Sequence, residues 1–461
     1  MKRKLDLTYI IFFFLIISLP LLSMVAGIEV KNSEKRQLSQ CPELIEEGVL
    51  NTEFPRDFDT YFSENFGLRP LLITGYGGLN YYLLGHSVND QVVAGKSGWL
   101  YFDKTLPDYT GENIMSEYEI EKLVRIIQIQ SDWLKQKGIK FVFMPVPNKN
   151  TIYPEYMPRR YGEKAVTNIE LLNKAFADTD INYINLVDLY SRVEDDIVYQ
   201  KKDTHWNGTG AIIALEEILD VMGVSDLSLS SYIVERKIRT GDLGNMLLPS
   251  AGMTDTQPVI EMEKKYQTIG KIRTLEDLTI ETKSDGMDRD VLMFRDSFAN
   301  TLIPVMSNLF EFCYYSRSVP YDYRILESRD FDVVISEIVE RNLTDLIHNV
   351  PIMPAQPLKD PDFKNSEAID QKMIIQIEQE QGLTKISGFI PGLLSNEIYI
   401  EADQKIYAAF PVLTEQMQER YYDENGSGFT LFLNHPISND TVIKGFIRYQ
   451  DNIVSIQSLS Y

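Results

Sequence analysis

The sequence predicts an α/β fold, an open and mostly parallel sheet with helices on both faces, set behind an apolar N-terminal helix and ahead of a small β-sandwich-like domain. Three observations lead there. Helix-period and strand-like segments alternate from Ser116 to Asn342; an uncharged run of membrane-spanning length opens the chain; and short strand-like runs separated by Asn, Asp and Gly fill residues 373–461.

Taken in order, Leu7 to Ile28 is uncharged and mostly apolar. About twenty helical residues at ~1.5 Å rise cross the roughly 30 Å hydrocarbon core of a bilayer. Lys2, Arg3 and Lys4 precede the run. The positive-inside tendency therefore predicts a signal anchor over residues 1–31, single-pass in the cell membrane, with the rest of the chain extracytoplasmic. The competing reading is a cleaved signal peptide, for which the run is long and Ser23 to Gly27 offers a weak small-residue cleavage site. Residues 32–50 are charged and polar and read as a stalk. Phe54, Phe58, Tyr61 and Phe62 recur at helical spacing, predicting a helix that buries an aromatic stripe in the core.

Gln91 to Phe102 reads as a hairpin. Ser116 and Glu119 form a capping-box pattern for a helix with Ile120, Leu123, Val124, Ile127 and Leu134 on one face, closed by Gly138. Lys140 to Val146 is then a buried strand, Asn168 to Phe176 a helix, Tyr183 to Leu186 a strand and Gly208 to Met222 a helix. The alternation resumes with a strand at Val291 to Phe294, a helix at Ala299 to Leu309, and a strand at Phe331 to Ile335 followed by a helix near Asn342. Residues 51–353 are assigned to this α/β domain, with a charge-rich insertion over about 236–289 holding a small β element. Pro354, Pro357 and Pro361 mark a linker over 354–372. In the all-β domain at 373–461, Tyr399, Tyr407, Tyr421 and Tyr422 are candidates for a carbohydrate-stacking surface or, alternatively, for the domain's own core.

The formal net charge of −22 excludes nucleic acid or an anionic membrane surface as the main partner, since both require a basic footprint. Two cysteines, Cys41 and Cys313, imply neither a disulfide framework nor a cysteine metal site. No glycine loop or metal-ligand spacing suggests a cofactor or a metal.

The chemistry concentrates in Asp203-Thr204-His205-Trp206-Asn207 and Asp296-Ser297-Phe298. A serine hydroxyl is a weak nucleophile until a base takes its proton, and the base needs an acid that fixes its tautomer. Ser297, His205 and Asp203 fit those roles, and of the four histidines only His205 lies in a dense polar cluster. Read singly, an Asp-x-His is a surface turn and an Asp-Ser a helix cap. Their context at a strand-to-helix turn and before a helix is what raises them, because such turns present groups at the carboxyl edge of an open sheet. Asn148 and Lys149 follow a strand at that same edge and are candidates to meet an oxyanion or carbonyl, or simply to cap the strand. Asn207 and Arg295 flank the two motifs as further substrate candidates. Glu337, Glu340 and Arg341 read as a structural ion-pair group.

Four ordered segments, Val92 to Phe102 (VVAGKSGWLYF), Phe143 to Pro158 (FMPVPNKNTIYPEYMP), YQKKDTHWNGTGA around His205 and MFRDSFANTLIPVM around Ser297, resemble the SGNH-hydrolase-like proteins of the alginate O-acetyltransferase type (AlgX and AlgJ) and their DHHW relatives. The resemblance covers roughly residues 50–350. It implies a flavodoxin-like SGNH fold, with the Asp-x-His motif upstream of the serine, an order permuted from ordinary SGNH esterases and matched here. By position it makes Ser297 the nucleophile, His205 the base and Asp203 the acid. Arg295 stands where many members have glycine. The resemblance further implies extracytoplasmic O-acetylation of a polysaccharide, with a membrane-bound acyltransferase of the MBOAT type supplying acetyl groups. Two rivals stand beside it: an acetyl esterase using the same triad, and a non-catalytic glycan-binding assembly protein.

Overall fold

The computed structural model describes residues 2–28, 30–32, 38–46, 48–194, 196–224, 233–359, 363, 366–380, 382–412, 426–437, 441–449 and 452–459. Parts of the expected stalk, and Tyr421 and Tyr422, lie outside them.

The chain opens with helix α1 (Lys2–Val25), whose stretch Asp6–Val25 is long and apolar enough to cross a membrane. A short ribbon, β1 (Ile45–Glu46) and β2 (Val49–Leu50), leads to helices α2 (Phe54–Asn65) and α3 (Arg69–Leu79), the latter continued by a π-helical turn, Asn80–Leu84. The expected hairpin is present as β3 (Val92–Ala94) and β4 (Leu100–Phe102), and α4 (Leu106–Thr110) follows. Helix α5 (Glu117–Gln136) starts at the predicted capping box: Ser116 Oγ accepts from the Glu119 amide while Glu119 Oε2 accepts from the Ser116 amide. Then come β5 (Lys140–Val146), α6 (Lys149–Ile152), α7 (Asn168–Phe176), α8 (Leu186–Ser191) and α9 (Gly208–Met222). The strand expected at Tyr183 to Leu186 shrinks to one parallel bridge, Phe143 to Tyr183, because Asn185 accepts a hydrogen bond from the Asp188 amide and caps α8.

The stretch expected as an insertion splits. β6 (Ile233–Thr240) and β7 (Thr254–Ile260) form a separate hairpin around α10 (Asp242–Leu247), whereas β8 (Gln267–Ile269) and β9 (Thr279–Lys283) join the central sheet. With β10 (Met287–Phe294), α11 (Ile303–Leu309), β11 (Phe310–Ser316), β12 (Val333–Val339) and α12 (Asp345–His348), the α/β region is complete. Its sheet runs β5-β12-β10-β11-β9-β8, the first four strands parallel, β9 antiparallel to β11, and β8 antiparallel to β9.

Alternation along the parallel strands sorts side chains to two layers. Val291 and Met293 face a cluster with Leu215 and Ile218 of α9 and Met306 of α11. Leu292 and Phe294 face a second cluster with Leu123 and Ile127 of α5 and Leu172 of α7. Both faces are therefore covered by helices, which is why the strands read as continuous apolar runs. All four carboxyl ends then share one edge.

The all-β domain follows as β13 (Glu367–Glu380), β14 (Leu383–Ile390), β15 (Ile398–Ala402), β16 (Lys405–Val412), β17 (Ser427–Leu433), β18 (Lys444–Tyr449) and β19 (Asn452–Leu459). Its strands close into a barrel rather than two facing sheets, because the long β13 pairs with β14 on one side and β19 on the other. Tyr407 is buried in its core, so it is no part of a stacking surface; Tyr399 is half-buried beside Phe363 and the Arg125 guanidinium. The barrel is fastened to the α/β region by Trp133 Nε1 donating to the Pro354 carbonyl (2.7 Å) and Lys122 Nζ donating to the Val412 carbonyl (2.9 Å).

Candidate active site

β10 ends at Phe294, and the chain turns through Arg295 and Asp296 to Ser297, the residue that precedes the 3₁₀ turn Phe298–Thr301. Asp296 shapes this turn: its Oδ1 accepts from the Phe298 amide and its Oδ2 from the Val339 amide at the end of β12, each at 2.8 Å. Its own amide donates to Glu337 Oε2 (2.8 Å). Asp203, Thr204 and His205 arrive from the other side, just ahead of α9, where Asn207 caps the helix by accepting from the Gly210 amide.

His205 Nε2 lies 2.8 Å from Ser297 Oγ, and His205 Nδ1 lies 2.7 Å from Asp203 Oδ1. A carboxylate only accepts, so Nδ1 carries the proton and Nε2 is left to accept from the serine hydroxyl. The His205 ring packs against Phe298 at 4.8 Å between centroids, and its side chain keeps 20 % exposure. Burial disfavours the imidazolium, but the hydrogen bond and charge of Asp203, with Asp242 and Asp296 adding to them, outweigh it and raise the His205 pKa. For Asp203, burial opposes ionisation, yet the His205 contact and two backbone amides hold its carboxyl well below the usual carboxylate range.

Asp242 is the residue that sequence reasoning missed. Its amide donates to Asp203 Oδ2 (2.8 Å), its Oδ1 accepts from the Thr204 amide (2.8 Å), and its Oδ2 lies 3.7 Å from His205 Nδ1. Burial first, then the charge of Asp203, raise the Asp242 pKa. The only signal in the sequence is Gly241 before it, which admits the close approach: a Cβ there would lie 2.0 Å from the Lys202 carbonyl oxygen. Donor atoms of Asp203, His205 and Asp242 all lie within 4.8 Å of one another. Three of the four carboxylate oxygens in this group already accept backbone N–H groups, an arrangement that fixes a turn.

The remaining candidates are brought near the site but are occupied. Lys149 is buried with Nζ donating to the carbonyls of Asp203 (2.5 Å), Gln200 (3.1 Å) and Lys201 (3.4 Å), and burial lowers its pKa to about 7. It braces the segment that carries Asp203. Asn148 donates through Nδ2 to Asp108 Oδ2 (2.7 Å), and its amide donates to Glu340 Oε2 (2.7 Å). Asn207 Nδ2 donates to the Ile197 carbonyl. Arg295 donates to the carbonyls of Leu275, Asp277 and Asp296 and to Asn300 Oδ1. It thus ties the turn to the loop before β9. Glu337, Glu340 and Arg341 form no ion pair with one another among the described residues. The two glutamates accept from backbone amides at strand ends, and the Arg341 guanidinium lies over the Phe298 ring at 5.7 Å, so they buttress the turn rather than pair.

Residues 92–277 match the family described as SGNH hydrolase-like domain, acetyltransferase AlgX. Three of the four sequence motifs fall inside that match, and the Ser297 motif lies beyond it. The chain is 25 % identical over 210 residues to a protein named probable alginate O-acetylase AlgJ from Pseudomonas aeruginosa (43 % of this chain, 51 % of that protein). It is 28 % identical over 179 residues to the protein of the same name from Pseudomonas fluorescens (37 % and 43 %). The chain thus spans about half the length of the curated relatives it matches. Among solved structures, it aligns with Bacillus cereus PatB1 at a TM-score of 0.43 and 16 % identity (55 % of this chain, 96 % of that one). The O-acetyltransferase domain of Pseudomonas putida AlgJ aligns at 0.32 and 18 % (55 % and 91 %). The motifs within residues 92–277 and their order agree with the match of that segment to the SGNH hydrolase-like domain of the AlgX acetyltransferase family.

Proposed function

We propose that this protein is an extracytoplasmic O-acetyltransferase that acetylates a polysaccharide through an acyl-enzyme on Ser297. The observation that carries the reading is the unbroken chain of contacts from Ser297 Oγ to His205 Nε2 and from His205 Nδ1 to Asp203 Oδ1. In the first half-reaction His205 takes the serine proton as Oγ attacks the acetyl carbonyl of a donor, and the imidazolium formed is stabilised by Asp203. The proton then passes to the leaving group as the tetrahedral intermediate collapses to acetyl-serine. In the second half-reaction His205 takes a proton from a sugar hydroxyl, which attacks the acetyl-serine; the bond from the acetyl carbon to Ser297 Oγ breaks, and the imidazolium returns the proton to Oγ, releasing the acetylated sugar and the free enzyme. The Ser297 amide, which has no acceptor among the described residues, is the donor placed to meet the oxyanion. Asp242 positions the Asp203–His205 turn and holds the imidazole charge high.

The polysaccharide substrate is suggested by relatives named as alginate O-acetylases. Acetyl donors such as acetyl-CoA are cytoplasmic, so an outward-facing domain needs a membrane acyltransferase partner to pass the acetyl group across. α1 would tether the domain beside that partner. Incubating the full chain with an activated acetyl ester, with and without oligosaccharides, tests the reading. Acetate appearing on the sugar supports transfer; ester consumed with free acetate as the sole product, whatever sugar is added, assigns the same triad to an esterase. No turnover and no acetyl-serine would leave the non-catalytic glycan binder.

A further inference from the structure

The segment after α2 carries its apolar residues on the wrong side for a soluble fold. From Arg69 to Leu84 there is one charged residue, Arg69, and the outward face presents Leu72, Tyr76 (63 % exposed), Leu79 (58 %), Leu83 (73 %) and Leu84. Steps of four, three and four residues put Leu72, Tyr76, Leu79 and Leu83 on a single helical face. The opposite face is docked on the α/β region: a Cβ on Gly77 would lie 2.7 Å from the Leu247 carbonyl oxygen, Thr74 Oγ1 accepts from the Ser250 amide (2.9 Å), and Tyr81 packs against the cluster of Leu243 and Leu247. The exposure is therefore a property of a helix held in place. α2 shows the same tendency, since none of its residues is buried and its Phe54, Phe58 and Phe62 rings stack on one another.

What covers this face is indicated by where it sits. Gly67, in the turn between α2 and α3, is pressed against the end of α1: a Cβ there would lie 2.0 Å from the Pro20 carbonyl oxygen, 2.3 Å from Ser23 Oγ and 2.9 Å from Met24. Pro20 and Ser23 are buried and Met24 is partly so, whereas residues 6–19, Leu21, Leu22 and Val25 of that apolar helix are exposed. Counting at ~1.5 Å per residue, Leu7 to Val25 covers about the ~30 Å hydrocarbon thickness, so the α2–α3 turn lies at its outer margin. Leu and Tyr on one face of a helix at that depth are the residue types of the membrane interface.

We infer that α3 and its π-helical turn lie in the outer membrane–water interface as an amphipathic collar beside the anchor, with the outward apolar face in lipid. This rests on the anchoring reading of α1 under the proposed function. The consequence is positional. α3 packs on α10, and α10 begins at Asp242, the residue that braces Asp203 and His205. One layer of protein then separates the candidate triad from the bilayer, which sets the site within reach of a donor delivered at the membrane surface.

The test uses the full chain with Cys41→Ser, leaving only the buried Cys313, and one environment-sensitive label at Leu15→Cys, Leu79→Cys or Leu394→Cys, reconstituted in phosphatidylcholine vesicles carrying lipid-borne quenchers. The expected result is several-fold stronger lipid quenching at 79 than at 394, an exposed barrel position, with a shallower depth than at 15. Quenching at 15 but not at 79 overturns the collar and keeps the anchor. Quenching at 79 but not at 15 sinks the anchor and with it the collar as placed here, leaving α3 as a membrane contact of another geometry. A label at 79 that is shielded from aqueous quencher, unreached by lipid quencher and cross-linked between copies assigns the face to a second copy and overturns the proposal.

Discussion

The carboxyl edge of the central sheet and the outward face of α3 both reverse the ordinary partition of residues, in opposite senses. At the edge, Asp203, His205, Asp242, Glu337, Glu340 and Lys149 are drawn inside, and each has a named partner. On α3 and its π-helical turn, Tyr76, Leu79 and Leu83 are left outside with none of the burial that Leu123 and Ile127 enjoy on α5. Burying charge without partners costs several kcal/mol, so a polar cluster in which every member makes a hydrogen bond, though Glu337 Oε1 and Glu340 Oε1 lack one, marks a site whose geometry is being held. An exposed apolar face on a docked helix marks a surface whose solvent is something other than water.

The largest effect is expected at the polar edge. Ser297→Ala should lower acetyl-ester turnover by roughly three orders of magnitude or more while leaving the melting temperature almost unchanged, since the hydroxyl is a half-buried group with one side-chain contact. A comparable fall in stability would mean that the edge is held by the triad rather than for it. Leu123→Ala in α5, measured by denaturant unfolding, should cost about 2–5 kcal/mol, because Leu123 is fully buried between α5 and the sheet.

Asp242→Asn sharpens the reading of the edge through pH. His205 must be neutral to accept the serine proton, and its raised pKa places the rise of activity above the ordinary imidazole value of 6.5. Asparagine keeps the backbone N–H that holds Asp203 and can keep the contact to Thr204, but it removes one of the charges that raise His205. The rising limb of the rate profile should therefore move to lower pH. An unmoved limb with reduced turnover would reduce Asp242 to a structural brace. Leu79→Ser should be the smallest change, within about 0.5 kcal/mol of the parent in detergent, against the large loss at Leu123. A loss as large as that at Leu123 would show that the α3 face is buried within the protein.

Where local signals decide, the sequence was read well. The bounds of β5, α7 and α9 follow from caps and periodicity, and the Asp203–His205 pair needs only a two-residue turn. Ser297 was legible because an apolar strand ends just before it. Asp242 was not, since its role comes from packing against a segment nearly forty residues earlier in the chain, inside a stretch whose charge resembled an insertion. The buried commitments of Lys149 and Arg295 were hidden for the same reason: composition shows a cation near an edge, and only the fold shows which carbonyls it meets. Barrel closure depends on pairing β13 with β19 across the whole domain, which no local pattern records. The aromatic stripe of α2 was placed in the core because periodicity reveals that a face exists, without revealing what covers it.

The central claim is that Ser297 carries the acetyl group. Mass spectrometry of the full chain quenched during turnover with an activated acetyl ester tests it most directly. The account predicts one acetyl mass on the peptide containing Ser297, lost in Ser297→Ala and discharged when an oligosaccharide acceptor is added. Undiminished ester turnover by Ser297→Ala, or an acetyl group accumulating on another residue, would contradict it.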